Sequence, residues 1–198
     1  MNDLQNHNLE PSFITAQNAI NPEVAKLLMG LVDEEGKISS WNKNPYCKEV
    51  QIANPFSKDH SNYPKIQAKV IPSLYMLSES CMRHMNWAFG NTAFDIITGH
   101  HGFWVMRYDE GGEFAPHTDW NSTPAGIRPP IIATTITLLN DNFVGGETIF
   151  FSGDGSSTII EREKYSILMM DGFTKHKVTP VLKGQRYALI THYVGNMK

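Results

Sequence analysis

Near the middle of the chain, His117 and Asp119 stand two residues apart in the segment EFAPHTDWN, directly after Pro116. In an extended strand, residues i and i+2 point to the same face, so this spacing aims an imidazole and a carboxylate at one point. A His-x-Asp pair alone is weak evidence, because it occurs by chance in many proteins. A metal site needs a third donor, and the strand-like half of the chain offers His100, His101, His176 and His192. His176 is the best placed, since it follows ILMMDGFTK, an apolar strand ending in a turn, and opens HKVTPVLKGQR.

His117, Asp119 and His176 would give a cation two imidazoles and one carboxylate and leave three positions open, the facial triad of non-haem iron chemistry. Zn(II) accepts the same donors, so donor type does not settle the metal. Arg186 breaks the tie. It lies ten residues after His176 and opens the strand RYALITHYV. There it shares a face with Ala188, Ile190 and His192. A buried guanidinium needs an anion, and no acidic residue occurs in that strand. A bidentate organic carboxylate from a cosubstrate would serve. The plainer alternative is a surface arginine at a strand end.

Elements must hold these groups in place. The first ~90 residues read as helices and loops. Asn21-Pro22 followed by EVAKLLMGLVDEEG carries an N-cap residue, a first-turn proline and Gly36 as terminator. Val24, Leu27, Leu28, Leu31 and Val32 form its apolar stripe. Residues 37–63 read as a long loop or weak hairpin. The next segment, PKIQAKVIPSLYMLSESCMRHMNWAFG, is helical, and Pro72 either kinks it or starts a new piece. Leu74, Leu77, Cys81, Met85 and Ala88 recur at helical spacing, and His84 beside them reads as a core or boundary residue.

From residue 100 the pattern changes to short β-branched and aromatic runs separated by Gly, Asp and Asn. Several are apolar on both faces, which fits a mainly β protein: a two-sheet jelly roll with bracing N-terminal helices on one outer face. One domain over 1–198 is expected, with 1–99 as a helical and loop support region and 100–195 as the β core. In GGETIFF, Gly145 and Gly146 permit a tight turn or a close backbone approach, and Glu147 reads as structural. Residues 120–130 form an irregular insertion after Asp119.

Composition sets outer bounds. The 198 residues are 41% hydrophobic and 19% charged with a formal net charge of -3, which fits a globular chain and disfavours a nucleic-acid partner. Nothing in the chain reads as a signal peptide or a membrane span. Cys47 and Cys81 are the only cysteines, so no disulfide framework is implied, and two reduced thiols in the cytoplasm are expected.

The segments RYDEGGEFAPHTDW, TTITLLNDNFVGGETIFF and HKVTPVLKGQRYALITHYV together resemble the 2-oxoglutarate- and Fe(II)-dependent oxygenases, in particular their prolyl 4-hydroxylase-like group. The resemblance covers roughly residues 100–195. It implies a double-stranded β-helix, Fe(II) on His117, Asp119 and His176, and the distal carboxylate of 2-oxoglutarate on Arg186. It also implies that Tyr108, nine positions before the first histidine, binds cosubstrate. Thr134 is the choice for a pocket-lining threonine, although a one-residue register error would invert that assignment. His192 faces the pocket on strand alternation, where relatives usually carry Trp, and a cosubstrate contact and a structural role are both open to it. Relatives also usually carry Lys where Arg186 stands and Tyr where Phe114 stands.

The activity implied is hydroxylation, with 2-oxoglutarate decarboxylated to succinate, O2 as cosubstrate and ascorbate as an accompanying reductant. No protein catalytic residue is needed beyond the metal and cosubstrate ligands. The leading expectation for substrate is proline in a peptide or protein. The same chemistry on a free amino acid or other small molecule is the main alternative, and a non-enzymatic cupin-like metal module is the reading from another class. Loops 37–63 and 120–130 are expected to wall the substrate. Oligomeric state is left open.

Overall fold

The computed structural model describes residues 13–39, 44–53, 64–89, 94–120 and 130–197. Helix α1 (Pro22–Glu35) begins as its sequence requires: the Asn21 side chain accepts the Glu23 N–H at 2.8 Å, and Pro22 occupies the first turn, where a missing N–H costs nothing. Val24, Ala25, Leu28, Leu31 and Val32 are buried, whereas Leu27 is turned toward solvent. Gly36 ends the helix in extended conformation (φ -63°) rather than by a left-handed turn. Glycine is required there because a Cβ would collide with the Val32 carbonyl.

Residues 37–53 give more structure than a loop. Strand β2 (Lys37–Ile38) pairs antiparallel with β3 (Cys47–Ala53), and β3 goes on to pair with β4 (Phe94–Tyr108), Cys47 opposite Tyr108. The 37–63 insertion is therefore in part an arm of the main sheet. Its two stretches at 40–43 and 54–63, and residues 121–129 of the second loop, lie outside the described residues.

Helix α2 (Pro64–Phe89) runs without interruption through Pro72, which neither breaks it nor starts a new segment. Val70, Leu74, Ser78, Cys81 and Met85 form its buried stripe. His84 belongs to neither core nor boundary: it is exposed, its Nδ1 2.7 Å from the Ser80 carbonyl one turn back.

The remaining strands are β1 (Phe13–Ala16), β5 (Phe114–His117), β6 (Ile131–Leu138), β7 (Val144–Gly145), β8 (Thr148–Phe151), β9 (Ser157–Ile160), β10 (Ile167–Asp171), β11 (Lys175–Val178), β12 (Val181–Lys183) and β13 (Arg186–Met197). They form a seven-stranded sheet in the order β1-β10-β6-β13-β4-β3-β2, a four-stranded sheet β5-β11-β8-β9, and a small β12-β7 pair. Among the described residues every strand pairing is antiparallel, the jelly-roll arrangement.

The large sheet is covered on both sides. On the outer face Leu28 and Leu74 of the helices meet Val50, Val105 and Leu189. On the inner face Ile136, Leu168, Met170 and Ala188 meet Phe150 of the small sheet. This explains why all eight residues of β6 are buried and why its sequence lacks polar alternation. Two expected boundaries shift. Strands β1 to β3 and the start of β4 lie before residue 100, so the support region contributes to the sheet itself. HKVTPVL, read as one strand, is divided at Thr179-Pro180 into β11 and β12, since proline has no N–H to continue a ladder.

Candidate active site

Strands β5 and β11 are neighbours, and their register sets His117 directly opposite His176. The imidazole centroids are 4.3 Å apart. Asp119 reaches the same point by a different route from the one its spacing suggests. Strand β5 ends at His117, so no strand alternation connects the two. Instead the chain turns, and the Trp120 N–H donates to the Gly172 carbonyl at 3.0 Å, fixing the residue just after Asp119. Gly172 in turn lies so close to Ile131 that a Cβ would strike its carbonyl.

The result is one cluster. His117 Nε2 is 3.5 Å from Asp119 Oδ1, and His176 Nε2 is 4.0 Å from Asp119 Oδ2. One donor atom from each residue lies within 4.8 Å of the others, and among the described residues this is the group able to hold a metal ion. The tautomers fit that use. His117 Nδ1 lies 2.8 Å from the Ala115 carbonyl and His176 Nδ1 2.9 Å from the Thr174 carbonyl. A carbonyl only accepts, so each Nδ1 carries the proton and each Nε2 presents its lone pair inward. Burial opposes charge on His117, yet the Asp119 carboxylate overcomes it and holds this histidine above its ordinary value. Burial dominates at His176 and lowers it. Asp119 is itself buried, but His176, His117 and His192 outweigh that and keep its carboxyl well below the usual range. Near neutral pH the carboxylate is thus ionised and His176 neutral, the states that cation binding requires.

From this cluster a cavity of about 70 Å³ runs between the sheets. A single water needs about 10–15 Å³ on this measure, so the space suits a small molecule. Trp104, Met106, Phe114, Ile136, Val178 and Ile190 supply apolar walls. Thr134 also faces it, on the same strand face as Ile136, and its buried Oγ1 has no hydrogen-bond partner. His192 lies opposite Thr134 in the register, its Nε2 3.9 Å from Asp119 Oδ1 and its ring 5.2 Å from that of Trp104. The other histidines considered as third donors go elsewhere: His100 packs against Phe103 and Tyr75, and His101 lies outside the cluster.

Arg186 closes the far end. It is 1% exposed, in no sense a surface residue, and no carboxylate among the described residues pairs with it. Its register partner is Tyr108, whose ring centroid is 5.0 Å from the guanidinium carbon. Nη2 donates to Thr148 Oγ1 at 3.5 Å, whereas Nε and Nη1 are buried without an acceptor. Burial lowers the Arg186 pKa, with Tyr108 and Cys47 acting against it. Burial pushes the Tyr108 hydroxyl up, although Arg186 draws it down. A guanidinium shut away with two donors unused is a place made for an anion.

The sequence does not single out Thr148 for the site, and gives Gly146 only as a tight-turn or close-approach position. Thr148 lies on the inward face of GGETIFF, which alternation divides correctly without saying what that face meets. Gly146 has φ +64°, and a Cβ on it would stand 2.9 Å from Arg186 Cδ; the glycine leaves room for the arginine stem. Glu147 is structural, bonded to Thr179 across the β7-β8 connection.

Cys47 and Cys81 are buried and not bridged, and the Cys47 thiol donates to the Glu113 carbonyl at 3.5 Å. Among the described residues no helix is long and apolar enough to cross a membrane.

Comparison with known proteins agrees with this geometry. A PKHD-type hydroxylase of Alteromonas mediterranea is 30% identical over 90 residues, and one of Shewanella baltica is 35% identical over 85. The matched segments cover 43% and 41% of this chain but only 39% and 38% of those relatives. Among solved structures, a prolyl hydroxylase from Trichoplax adhaerens, in complex with a hypoxia inducible factor peptide fragment, superposes with a TM-score of 0.68 at 19% identity, covering 92% of this chain and 83% of that one. A viral collagen prolyl hydroxylase from Paramecium Bursaria Chlorella virus-1, in its 2-oxoglutarate complex, gives 0.63 at 14% identity, covering 93% and 96%. At such identities the likeness establishes the fold. The sequence profile of the 2OG-Fe(II) oxygenase superfamily matches residues 103–194, the span that carries every group of the cluster and the cavity's arginine end.

Proposed function

We propose that the chain is a 2-oxoglutarate- and Fe(II)-dependent dioxygenase that hydroxylates proline in a peptide or protein, and that it works as a single unit in the cytoplasm. The observation that carries the cosubstrate assignment is the cavity itself: three metal donors converge at one end, and a buried guanidinium with no carboxylate stands at the other. When bound, Fe(II) with 2-oxoglutarate and O2 supplies the oxidising chemistry, 2-oxoglutarate being consumed to succinate and CO2.

The protein's part is binding, orientation and exclusion of water. His117, His176 and Asp119 hold the cation, and the Nδ1–H bonds to Ala115 and Thr174 keep both imidazoles aimed. Arg186 binds the distal carboxylate, with Tyr108 against the guanidinium and Thr148 bonded to it. Thr134 has an unused hydroxyl for the bound acid. His192 lies beside the metal end and is assigned to the cosubstrate's reactive side. The buried cysteines support a reducing compartment, and peptide recognition is supported by the prolyl hydroxylase folds to which the chain is similar.

The test is turnover of 2-oxoglutarate by the Fe(II)-loaded protein, with and without ascorbate, against proline-containing peptides and free amino acids. Succinate release coupled to a product heavier by one oxygen on a peptide supports the full reading. Coupling to a free amino acid alone overturns the substrate assignment, and failure to bind 2-oxoglutarate at all overturns the function.

A further inference from the structure

A second arginine stands behind this cavity, and the function proposed above does not use it. Arg162 lies between β9 and β10, and its side chain runs inward, away from the acidic and basic residues that flank it in sequence. Nη2 donates to the Ile136 carbonyl at 2.5 Å and to the Ser166 carbonyl at 3.3 Å. Ile136 is a wall residue of the cavity. The other two nitrogens, Nε and Nη1, are cut off from solvent and have no hydrogen-bond partner.

No carboxylate among the described residues pairs with Arg162. The charge that acts on it is a like one. Burial first, and then the positive charge of Arg186, push its pKa down to about 9. A guanidinium placed only to satisfy two carbonyls would not need to sit unpaired near a second buried guanidinium, because such charges cost stability unless an anion joins them. Together the two arginines leave four buried N–H-bearing nitrogens unsatisfied, Nε and Nη1 of each.

We propose that Arg162 is a positioning residue for the cosubstrate: its charge, bonded to the cavity wall at the Ile136 carbonyl, makes the Arg186 end of the cavity selective for a 2-oxo acid with a second, distal carboxylate. It acts through the field at the Arg186 end rather than as a further metal-side group. This rests on the function proposed above, in which a dicarboxylate fills the cavity. Without the dicarboxylate the two charges oppose one another. With it, a negative charge in the cavity offsets both.

The experiment compares wild type with Arg162→Met, Arg162→Lys and Arg186→Ala, all in the Mn(II)-loaded form, by calorimetric titration with 2-oxoglutarate and with 2-oxobutyrate, its monocarboxylate counterpart. Glutarate, titrated into the metal-free proteins, reads the distal end without metal chelation. Arg162→Met should weaken 2-oxoglutarate and glutarate by about tenfold and leave 2-oxobutyrate unchanged, while Arg162→Lys keeps most of the affinity. The ligand-free Arg162→Met protein should melt no lower than wild type, because a buried unpaired charge has been removed.

A structural arginine gives the reverse, a lowered melting temperature with unchanged glutarate and 2-oxoglutarate affinity, and that result overturns the inference. If Arg162→Met fails to fold, the wild-type protein decides: the Arg162 Nε–H resonance, assigned through Arg162→Lys, should shift as glutarate is added, and an unmoved resonance overturns the inference. Loss of binding in Arg186→Ala alone leaves the oxygenase reading standing and sinks this one. A wild-type protein that binds no 2-oxoglutarate sinks both.

Discussion

Asp119 links three histidine rings, so single substitutions at the metal end report on separate properties. His117→Ala, Asp119→Ala and His176→Ala should each abolish Fe(II) retention, measured by metal analysis after gel filtration, while circular dichroism shows the fold intact. Full retention in any one would remove that residue from the donor set. Burial works against a charged His117, but the neighbouring carboxylate prevails and raises it, so protons compete with the cation at this residue first. Cation affinity should therefore fall as pH drops through the His117 pKa, with proton release on metal addition greater at pH 6 than at pH 8. At the other end, Arg186→Ala removes a charge-assisted contact from a desolvated pocket, a loss typically of about 2–5 kcal/mol, or roughly 30-fold to several thousand-fold in 2-oxoglutarate affinity. Arg186→Lys should be milder, since the charge stays and only the fork is lost. Tyr108→Phe should cost about 1–3 kcal/mol. Equal affinity of Arg186→Ala and wild type would place the carboxylate elsewhere. These groups were legible because chemistry restricts them: few residue types bind metals, and few buried strands open with an arginine. Thr148 was not, since a threonine on a strand has ordinary reasons to be there.

Register is the property of elements that the site depends on. The pairings His117 with His176, Arg186 with Tyr108, and His192 with Thr134 each put two site groups on adjacent strands. A slip of one residue would send them to the opposite face. Alternation along β13 puts Arg186 and His192 on one face, but on β6, buried at every position, it groups the threonines without saying which face meets the cavity. It was not enough for Asp119, whose position depends on the Trp120–Gly172 hydrogen bond, a contact between segments more than fifty residues apart. The weak hairpin expected within 37–63 is present as the β2–β3 pair, but the place of β3 in the main sheet was not legible, for a related reason. CKEVQIA has no long apolar run, and its place in the sheet comes from pairing with β4 rather than from its own pattern. The β7-β8 connection offers a test at this scale. Gly146→Ala introduces a Cβ at positive φ and against the Arg186 stem. It should raise the KM for 2-oxoglutarate several-fold and lower thermal stability by about 1–2 kcal/mol. Unchanged kinetics and melting would show that the β7-β8 connection adjusts without disturbing the arginine.

The whole molecule carries its own acid sensitivity, apart from the metal end. His100 sits in the layer between α2 and the large sheet, its Nδ1 accepting the Gly102 N–H at 3.1 Å. Burial, with a smaller contribution from His101, lowers its pKa from 6.5 to about 4. The unfolded chain takes up this proton near pH 6.5 and the folded one only near 4, so between those values the unfolded state binds more protons. Stability should be full above pH 6.5 and fall on acidification, reaching a loss on the order of 3 kcal/mol around pH 4. Denaturant titrations of wild type and His100→Gln between pH 7 and pH 4 check this. The variant should start less stable, for want of the acceptor, yet decline less steeply. Parallel slopes would assign the acid sensitivity to other groups.

The cavity's two ends belong mainly to different sheets: His117 and His176 to the small one, Arg186 and Tyr108 to the large one. A cation chelated by an acid whose other end is gripped by Arg186 is then a rivet driven through two plates. With the rivet out, the plates resist shear only by the apolar contacts between them. With it in, sliding one past the other must tear a metal bond or an ion pair. Amide exchange along β5 and β11 should therefore slow when Mn(II) and 2-oxoglutarate are added together, by more than the sum of the two separate effects. If the two effects merely add, the plates are already locked, and the bound pair is only cargo between them.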